Sequence, residues 1–295
     1  MHLKSYAKIN LLLHILGKRQ DGYHDVRSVM QQIALADDLN FDFCEDGMVL
    51  TADSAWKFPL DNSNIVCRAA ERYFLKTGRR TGFRLHIEKR IPVAAGLGGG
   101  SSNAAAALIA LNRYFHEILS FNELLEIAST LGADVPFFLY GGTVLAEGIG
   151  EIITPLATPG KLWVLLINPG FPVITARIYK NLNLDLTRRK SIPNIRSAFR
   201  EGEGWSHQLL SMICNDLETV VLHEHPELKR IKNWILQQSA DAAAVSGSGG
   251  TVFGLYCSRS EAERSFERAV GQFPWVELTE IVDVRSEIDW GVGKR

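Results

Sequence analysis

Cysteine is scarce in this 295-residue chain. Its four cysteines, Cys44, Cys67, Cys214 and Cys257, include no Cys-x-x-Cys pair. Neither a thiolate zinc site nor a redox motif is supported, and free thiols in a reducing compartment are expected. An excess of one charge is lacking too. With a formal net charge of -1, bulk electrostatics favour neither nucleic acid nor an anionic membrane as partner. The short run Arg188-Arg189-Lys190 reads as a solvated loop. His223-Glu224-His225 lacks ligand geometry, because residues two apart on a helix do not face each other and Pro226 ends the segment. No metal held by protein side chains is expected. Lys4 and Lys8 precede the apolar run Leu11 to Leu16, as in a signal peptide, but Gly17-Lys18-Arg19-Gln20-Asp21 offers no small-residue cleavage site. A cytoplasmic protein is expected. There is no internal repeat and no low-complexity segment.

A membrane span is excluded where it would be most tempting. Ile91 to Asn112 carries no charge, yet Pro92, four glycines (Gly96, Gly98, Gly99, Gly100), Ser101, Ser102 and Asn103 break its first half. A spanning helix needs about 20 predominantly apolar residues. The pattern says glycine-rich loop, then helix, with Ser101 or Ser102 as N-cap and the alanine run as strong helix former. Glycines ahead of a helix N-terminus let backbone N–H groups approach an anion, and the dipole favours negative charge there. No lysine follows Gly100, which rules out a Walker loop, and Ser101 stands where a dinucleotide fingerprint needs its third glycine. On spacing alone, a phosphate cradle competes with a tight turn that binds nothing.

What is present is ordinary for a globular protein, with 46% hydrophobic and 22% charged residues. Ser5 to His14 alternates as a strand, placing Ala7, Ile9, Leu11 and Leu13 toward a core and Lys8 and Asn10 together on the opposite face. Phe83 to Lys89 alternates likewise and feeds the glycine loop, and Ser101 to about Phe115 is a helix. Ser120-Phe121-Asn122-Glu123 has the form of a capping box, opening a helix that Gly132 closes. Asp134 then stands near the start of another helix with Pro136 in its first turn, where it can equally serve as an N-cap carboxylate. Thr143 to Ala146 reads as a strand. Pro155, Pro159 and Gly160 mark a connection, giving domains over residues 1–158 and 159–295. The second half reads as a strand (Leu162 to Asn168), helices to about Gln238, strand-loop-strand around Ser246 to Tyr256, a helix opened by Ser260-Glu261-Ala262-Glu263, and a strand from Val276 to Val284. Strands mixed with helices and long crossovers indicate α+β.

Taken together, Ala7-Lys8-Ile9-Asn10-Leu11, Pro-x-x-x-Gly-Leu-Gly-Gly-Gly-Ser-Ser-Asn-Ala-Ala from Pro92, and Ala244 to Phe253 resemble, in that order, three motifs of the GHMP small-molecule kinases. Gly17 to His24 and Leu131 to Phe138 are similar to those members whose substrate is a cytidine diphosphate-linked methylerythritol. The resemblance runs from about Tyr6 to about Val284. It implies a two-domain α+β architecture, with a ribosomal-protein-S5-like N-terminal domain and a ferredoxin-like C-terminal domain, and phosphoryl transfer from ATP with Mg²⁺. It implies that Pro92, Val93, Ala94, Ala95, Gly96, Leu97, Gly98, Gly99, Gly100, Ser101 and Ser102 hold ATP. Asp134 would be the base, Lys8 the cation beside it, and Asn10 the group that orients the hydroxyl. Tyr23 and His24 would meet the cytosine with Tyr179 opposite and Thr175 in the same pocket, while Gly247, Ser248, Gly249 and Gly250 form a supporting loop. Lys89 to Pro92 and Asp61 to Val66 are candidates for the adenine by analogy. Asn103 departs from the family's pattern, many relatives being acidic there. A sibling kinase for another alcohol, or a catalytically silent metabolite-binding protein on the same fold, are the competing readings; the first is opposed by Tyr23-His24 and Gly132 to Pro136, the second by the presence of Lys8, Asp134 and the glycine loop.

Overall fold

The computed structural model describes residues 1–182, 195–199 and 204–284; Arg188-Arg189-Lys190 lies outside them. The first half runs β1 (His2–Lys18), β2 (His24–Cys44), β3 (Met48–Ser54), α1 (Ile65–Thr77), β4 (Gly82–Lys89), α2 (Gly99–Tyr114), α3 (Phe121–Leu131), α4 (Val135–Tyr140), β5 (Thr143–Gly148) and β6 (Ile152–Leu156). The second runs β7 (Trp163–Asn168), α5 (Thr175–Lys180), α6 (Ile195–Ala198), α7 (His207–Ser211), β8 (Cys214–Asn215), α8 (Glu218–Glu224), α9 (Pro226–Gln237), β9 (Ala242–Val245), β10 (Val252–Tyr256), α10 (Arg259–Ala269) and β11 (Trp275–Glu280).

The larger sheet has the order β3-β4-β2-β1-β8, with β5 on the other end of the long β2 and β6 on β5. The smaller is antiparallel in the order β11-β7-β10-β9, the order of a ferredoxin-like βαββαβ unit. Alternation along β7 explains how the two sheets share a core. Val164 and Leu166 join Ala7, Ile9, Leu11 and Leu12 of β1, whereas Leu165 and Ile167 face Leu228, Ile231 and Ile235 of α9. The chain crosses from one sheet to the other between Leu156 and Trp163, then returns briefly: β8, inside the stretch expected to be helical, pairs in parallel with Leu12 and Leu13 of β1.

Three local expectations are corrected. First, the alternation of β1 breaks at a bulge, where the register jumps from Asn10↔Met30 to Leu12↔Val29. An extra residue reverses every side chain beyond it, so Leu12 rather than Leu13 joins the Ala7–Ile9–Leu11 face, and Leu13 lies on the same side as Lys8 and Asn10. Second, α2 starts at Gly99, not Ser101. Gly98 is its N-cap at φ 72 with no side-chain cap, a left-handed backbone that glycine adopts without penalty. Third, α10 is capped by Ser258, whose hydroxyl accepts from Glu261 N–H, so Ser260 already lies inside the helix.

The box at Ser120 and Glu123 forms with both reciprocal bonds. α2 is buried almost all round, from Ser102 to Asn112. An all-apolar helix belongs inside a core, and its alanines admit α1, α4 and the sheet at close range. The last strand ends at Glu280, four residues short of expectation, because Ile281 bridges to Ile33 and Val282 N–H donates to Gln32 O at 3.0 Å. The end of β11 is thereby tied to β2.

Candidate active site

A cleft of about 1040 Å³ opens between the halves, and Lys8, Asn10 and Asp134 all reach it. Lys8 Nζ donates to Asn10 Oδ1 at 2.6 Å and lies 3.5 Å from Asp134 Oδ2. The lysine side chain is 4% exposed and the aspartate 35%, so a buried ammonium meets a carboxylate that faces the cleft. Burying an unpaired ammonium would cost several kcal/mol; here Asn10 and Asp134 share the charge. Asp134 occupies the N-cap position of α4, but its side chain makes no cap hydrogen bond. The carboxylate is thus free of the structural role that its sequence position suggests.

The glycine loop forms the adjoining wall. Ala94, Gly96 and Gly98 all have left-handed φ (53, 77 and 72). A Cβ on Gly98 would fall 2.7 Å from Phe138 Cζ and 3.1 Å from Lys8 Cγ, so the loop can run this close to the lysine only as glycine. Lys8 N–H donates to Leu97 O at 3.0 Å, tying β1 to the loop. The first bond within α2 is Ser102 N–H to Gly98 O. With no side-chain cap, the N–H groups of Gly99, Gly100 and Ser101 make up an open helix start, the arrangement that binds anions. Pro92 to Gly96, Gly98, Gly99, Gly100 and Ser101 line the cleft. Leu97 and Ser102 are buried behind it.

Beneath the loop, the buried Asp37 carboxylate accepts from Arg90 N–H and Ile91 N–H, both at 2.9 Å, and pairs with the Lys89 ammonium. Burial pulls the Lys89 pKa down, and the Asp37 charge opposes that shift. With its amide turned so that the nitrogen faces these acceptors, the orientation its neighbours favour, Asn103 donates to Asp37 Oδ2 at 2.9 Å and to Gly99 O at 2.8 Å. A neutral amide at this position can donate to both, which a carboxylate could not do.

The opposite wall carries the aromatics. Arg19 bridges Asp21 and Asp25 at 3.0 Å each, and Tyr23 N–H donates to Asp21 Oδ1 at 3.0 Å. These exposed charges shape the turn that presents Tyr23 and His24. Tyr23 is 61% exposed at the rim, while His24 is buried with its ring centroid 5.4 Å from that of Tyr179. Burial, then the Lys18 charge, hold the His24 pKa below its usual value. Burial, then the Asp134 charge, push the Tyr179 phenol up to about 12. Thr175 Oγ1 and Ser248 Oγ lie 2.7 Å apart, joining α5 to the second glycine loop. Gly247 and Ser248 line the cleft. Gly249 and Gly250 instead pack behind it, near Val221 and Phe171 O.

Residues 64–142 match the family described as the GHMP kinases N terminal domain, and residues 187–273 match GHMP kinases C terminal. The chain belongs to the GHMP kinase family. It is therefore an ATP-dependent small-molecule kinase. A protein of Caldicellulosiruptor saccharolyticus named 4-diphosphocytidyl-2-C-methyl-D-erythritol kinase is 40% identical over 91% of this chain and 92% of its own length. One of Syntrophus aciditrophicus with the same name is 42% identical over 90% and 93%. The solved structure of a 4-(cytidine 5'-diphospho)-2C-methyl-D-erythritol kinase superposes with a TM-score of 0.79 at 32% identity, covering 95% of this chain and 99% of that one. A homoserine kinase from Cytophaga hutchinsonii, at 18% identity and a TM-score of 0.71, shares the fold. No helix among the described residues of this GHMP kinase is long and apolar enough to cross a membrane.

Several cleft residues escaped the sequence reading. Val26, Ser28 and Met30 line the cleft beside His24, at alternate positions of β2. The two-residue period starting from His24 was the signal that could have found them. Lys18, Phe58, Pro59 and Lys180 also line it without any local pattern to mark them. Of the adenine candidates, Ser63, Asn64, Ile65, Lys89 and Pro92 reach the cleft. The His223-Glu224-His225 segment is otherwise engaged: Glu224 pairs with Arg177 at 2.9 Å, and the His225 ring stacks on Phe171.

Proposed function

We propose that this GHMP kinase phosphorylates the 2-hydroxyl of 4-diphosphocytidyl-2-C-methyl-D-erythritol, in the cytoplasm, in the non-mevalonate route to isoprenoid precursors. The observation that carries this reading is the position of the Lys8–Asp134 pair. It opens onto one continuous cleft, between an uncapped, glycine-lined helix start and the His24–Tyr179 ring pair.

Asp134 accepts the proton of the 2-hydroxyl as that oxygen attacks the γ-phosphorus, and the bond to the bridging oxygen of ADP breaks. Phosphoryl transfer asks the protein mainly for positioning and charge stabilisation. Lys8 stabilises charge on the attacking oxygen, and Asn10 orients the hydroxyl. The N–H groups of Gly99, Gly100 and Ser101 hold the phosphates of ATP, whose close approach the missing Cβ atoms permit. Mg²⁺ arriving with the nucleotide would supply charge neutralisation, and the Ser101 hydroxyl on the cleft wall would help to hold it. The cytosine lies with Tyr23, His24 and Tyr179, a neutral imidazole and a neutral phenol suiting the edge and face of an uncharged base. Lys18 and Lys180 give that end of the cleft a positive charge that matches the diphosphate.

The test is ADP release from Mg·ATP with 4-diphosphocytidyl-methylerythritol, homoserine, mevalonate and galactose, for wild type and Asp134→Asn. Turnover only with the cytidine compound, lost in the variant, is expected. Turnover with another alcohol would overturn the pocket assignment, and ATP binding without any turnover would indicate a silent binding protein.

A further inference from the structure

Asn10 could face Lys8 with either end of its amide, and only one end suits an ammonium. Three hydrogen bonds decide which. Ser28 Oγ donates to the Leu12 carbonyl at 2.7 Å, Asn10 Nδ2 donates to Ser28 Oγ at 2.8 Å, and Lys8 Nζ donates to Asn10 Oδ1 at 2.6 Å. A hydroxyl has one proton to give, and a backbone carbonyl can only accept. Once Ser28 has spent its proton on Leu12, it can only accept from Asn10. The amide must therefore turn its NH₂ toward Ser28 and its oxygen toward Lys8.

All three side chains are buried at the cleft wall, and an unsatisfied group there is costly. The β1 bulge at Leu11 contributes, because it shifts the register of Leu12 and Leu13 against Val29 and Ser28. Gly247 closes the other side: a Cβ there would lie 3.3 Å from Asn10 Oδ1 and 3.5 Å from Lys8 Nζ.

We infer that Ser28 is a positioning residue for phosphoryl transfer, acting through Asn10 to fix the Lys8 ammonium beside Asp134. This rests on the proposed reading of Lys8, Asn10 and Asp134 as the reacting centre. Without the Ser28 hydroxyl the NH₂ of Asn10 loses its buried acceptor, and a rotated amide would point it at the ammonium.

The experiment is a double-mutant cycle on kcat with Ser28→Ala, Asn10→Ala and the pair, beside Ser28→Thr. Loss of one buried hydrogen bond predicts a fall in kcat of about tenfold for Ser28→Ala, with KM for ATP within about twofold. In the Asn10→Ala background the same substitution should cost nothing further, because its effect passes through Asn10. Ser28→Thr keeps the hydroxyl and should retain most of the rate. Unchanged kcat in Ser28→Ala, or equal losses in both backgrounds, would overturn the inference. Should Ser28→Ala fail to fold, the equally shaped pair Ser28→Thr and Ser28→Val makes the same comparison. Asp134→Asn, assayed in parallel, separates the two ideas: near-native turnover there refutes the assignment of the base, while the Ser28–Asn10 cycle still decides whether Ser28 acts through Asn10.

Discussion

Gly96 lies so close under the carbonyl of Ser246 that a Cβ on the glycine would sit 2.1 Å from that oxygen. Ser246 Oγ in turn donates to Gly96 O at 2.9 Å, and Thr251 N–H donates to Ala95 O at 3.1 Å. The first glycine loop is thus interlocked with the second, contributed by the other half of the chain.

Gly96→Ala should part these loops. It combines a left-handed φ of 77 with contact against immobile backbone, costs that together exceed the roughly 1 kcal/mol of a simple glycine replacement. A lower melting temperature and a KM for ATP raised about tenfold or more are expected. Gly100→Ala is the contrast. It lies inside α2, where an added Cβ would come no nearer than 3.9 Å to the packed neighbour Ile65, and its melting temperature should be equal or higher, because alanine gains up to about 1 kcal/mol in a compatible helix. Equal melting temperatures for the two variants would contradict this account of the loop.

Lys8 and Asp134 make a different kind of demand. Asp134→Asn preserves shape and removes the proposed proton acceptor, so kcat should fall about 10²- to 10⁴-fold while the fold and ATP binding persist. Lys8→Met removes a buried ammonium and fills its space with apolar chain. Replacing buried charge in this way is often neutral for stability, so kcat should drop steeply with little change in melting temperature. A Lys8→Met protein that lost stability in proportion to activity would show the lysine to be chiefly structural.

These pairings mark where the sequence was readable and where it was not. The strand bearing Lys8 and Asn10, the glycine loop leading into α2 and the box at Ser120 are local, and their hydrophobic period, glycine content and capping chemistry sit within a few residues of one another. The meeting of Lys8 with Asp134 is a product of tertiary structure; only family resemblance suggested it. The bulge at Leu11 left no mark in an apolar run where Leu11, Leu12 and Leu13 are interchangeable by composition. It reversed the face of Leu13 and hid the partnership of Leu12 with Ser28. The start of α2 was misplaced because serine is the commoner cap, whereas here Gly98 takes a backbone angle that serine would resist. The two-residue β8 is too short for any periodicity to reveal.

His24 and Tyr179 should govern affinity for the cytidine end of the substrate. Tyr179→Leu removes the ring that faces His24 and should raise KM for the cytidine substrate about tenfold, given roughly 1–3 kcal/mol per stacked base, with KM for ATP unchanged. His24 is held neutral by burial and Lys18. Its binding contribution should therefore be constant at and above neutral pH, and weaken only in acid, where the ring takes up a proton. A KM for the cytidine substrate that improved on acidification would contradict a neutral imidazole at the base edge.

The last prediction concerns stability rather than turnover. His14 is buried on β1 with Nδ1 3.6 Å from Asp216 Oδ2 and Cys214 Sγ 3.9 Å from either ring nitrogen. Asp216 also accepts Ile15 N–H at 3.0 Å, so the group fastens β8 to β1. The interaction with Asp216, then that with Cys214, raises the His14 pKa from 6.5 to about 9, against the opposing effect of burial. A pKa raised by folding stabilises the folded state only while the group is protonated there. The contribution, on the order of 3 kcal/mol, is therefore complete below pH 6.5, declines as pH rises and is spent above about 9. Urea denaturation at pH 6, 7.5 and 9.5 should show stability falling across that window. His14→Asn should be less stable at pH 6 and lose most of the slope. A wild-type stability that rose between pH 6.5 and 9 would mean that His14 folds as the neutral imidazole.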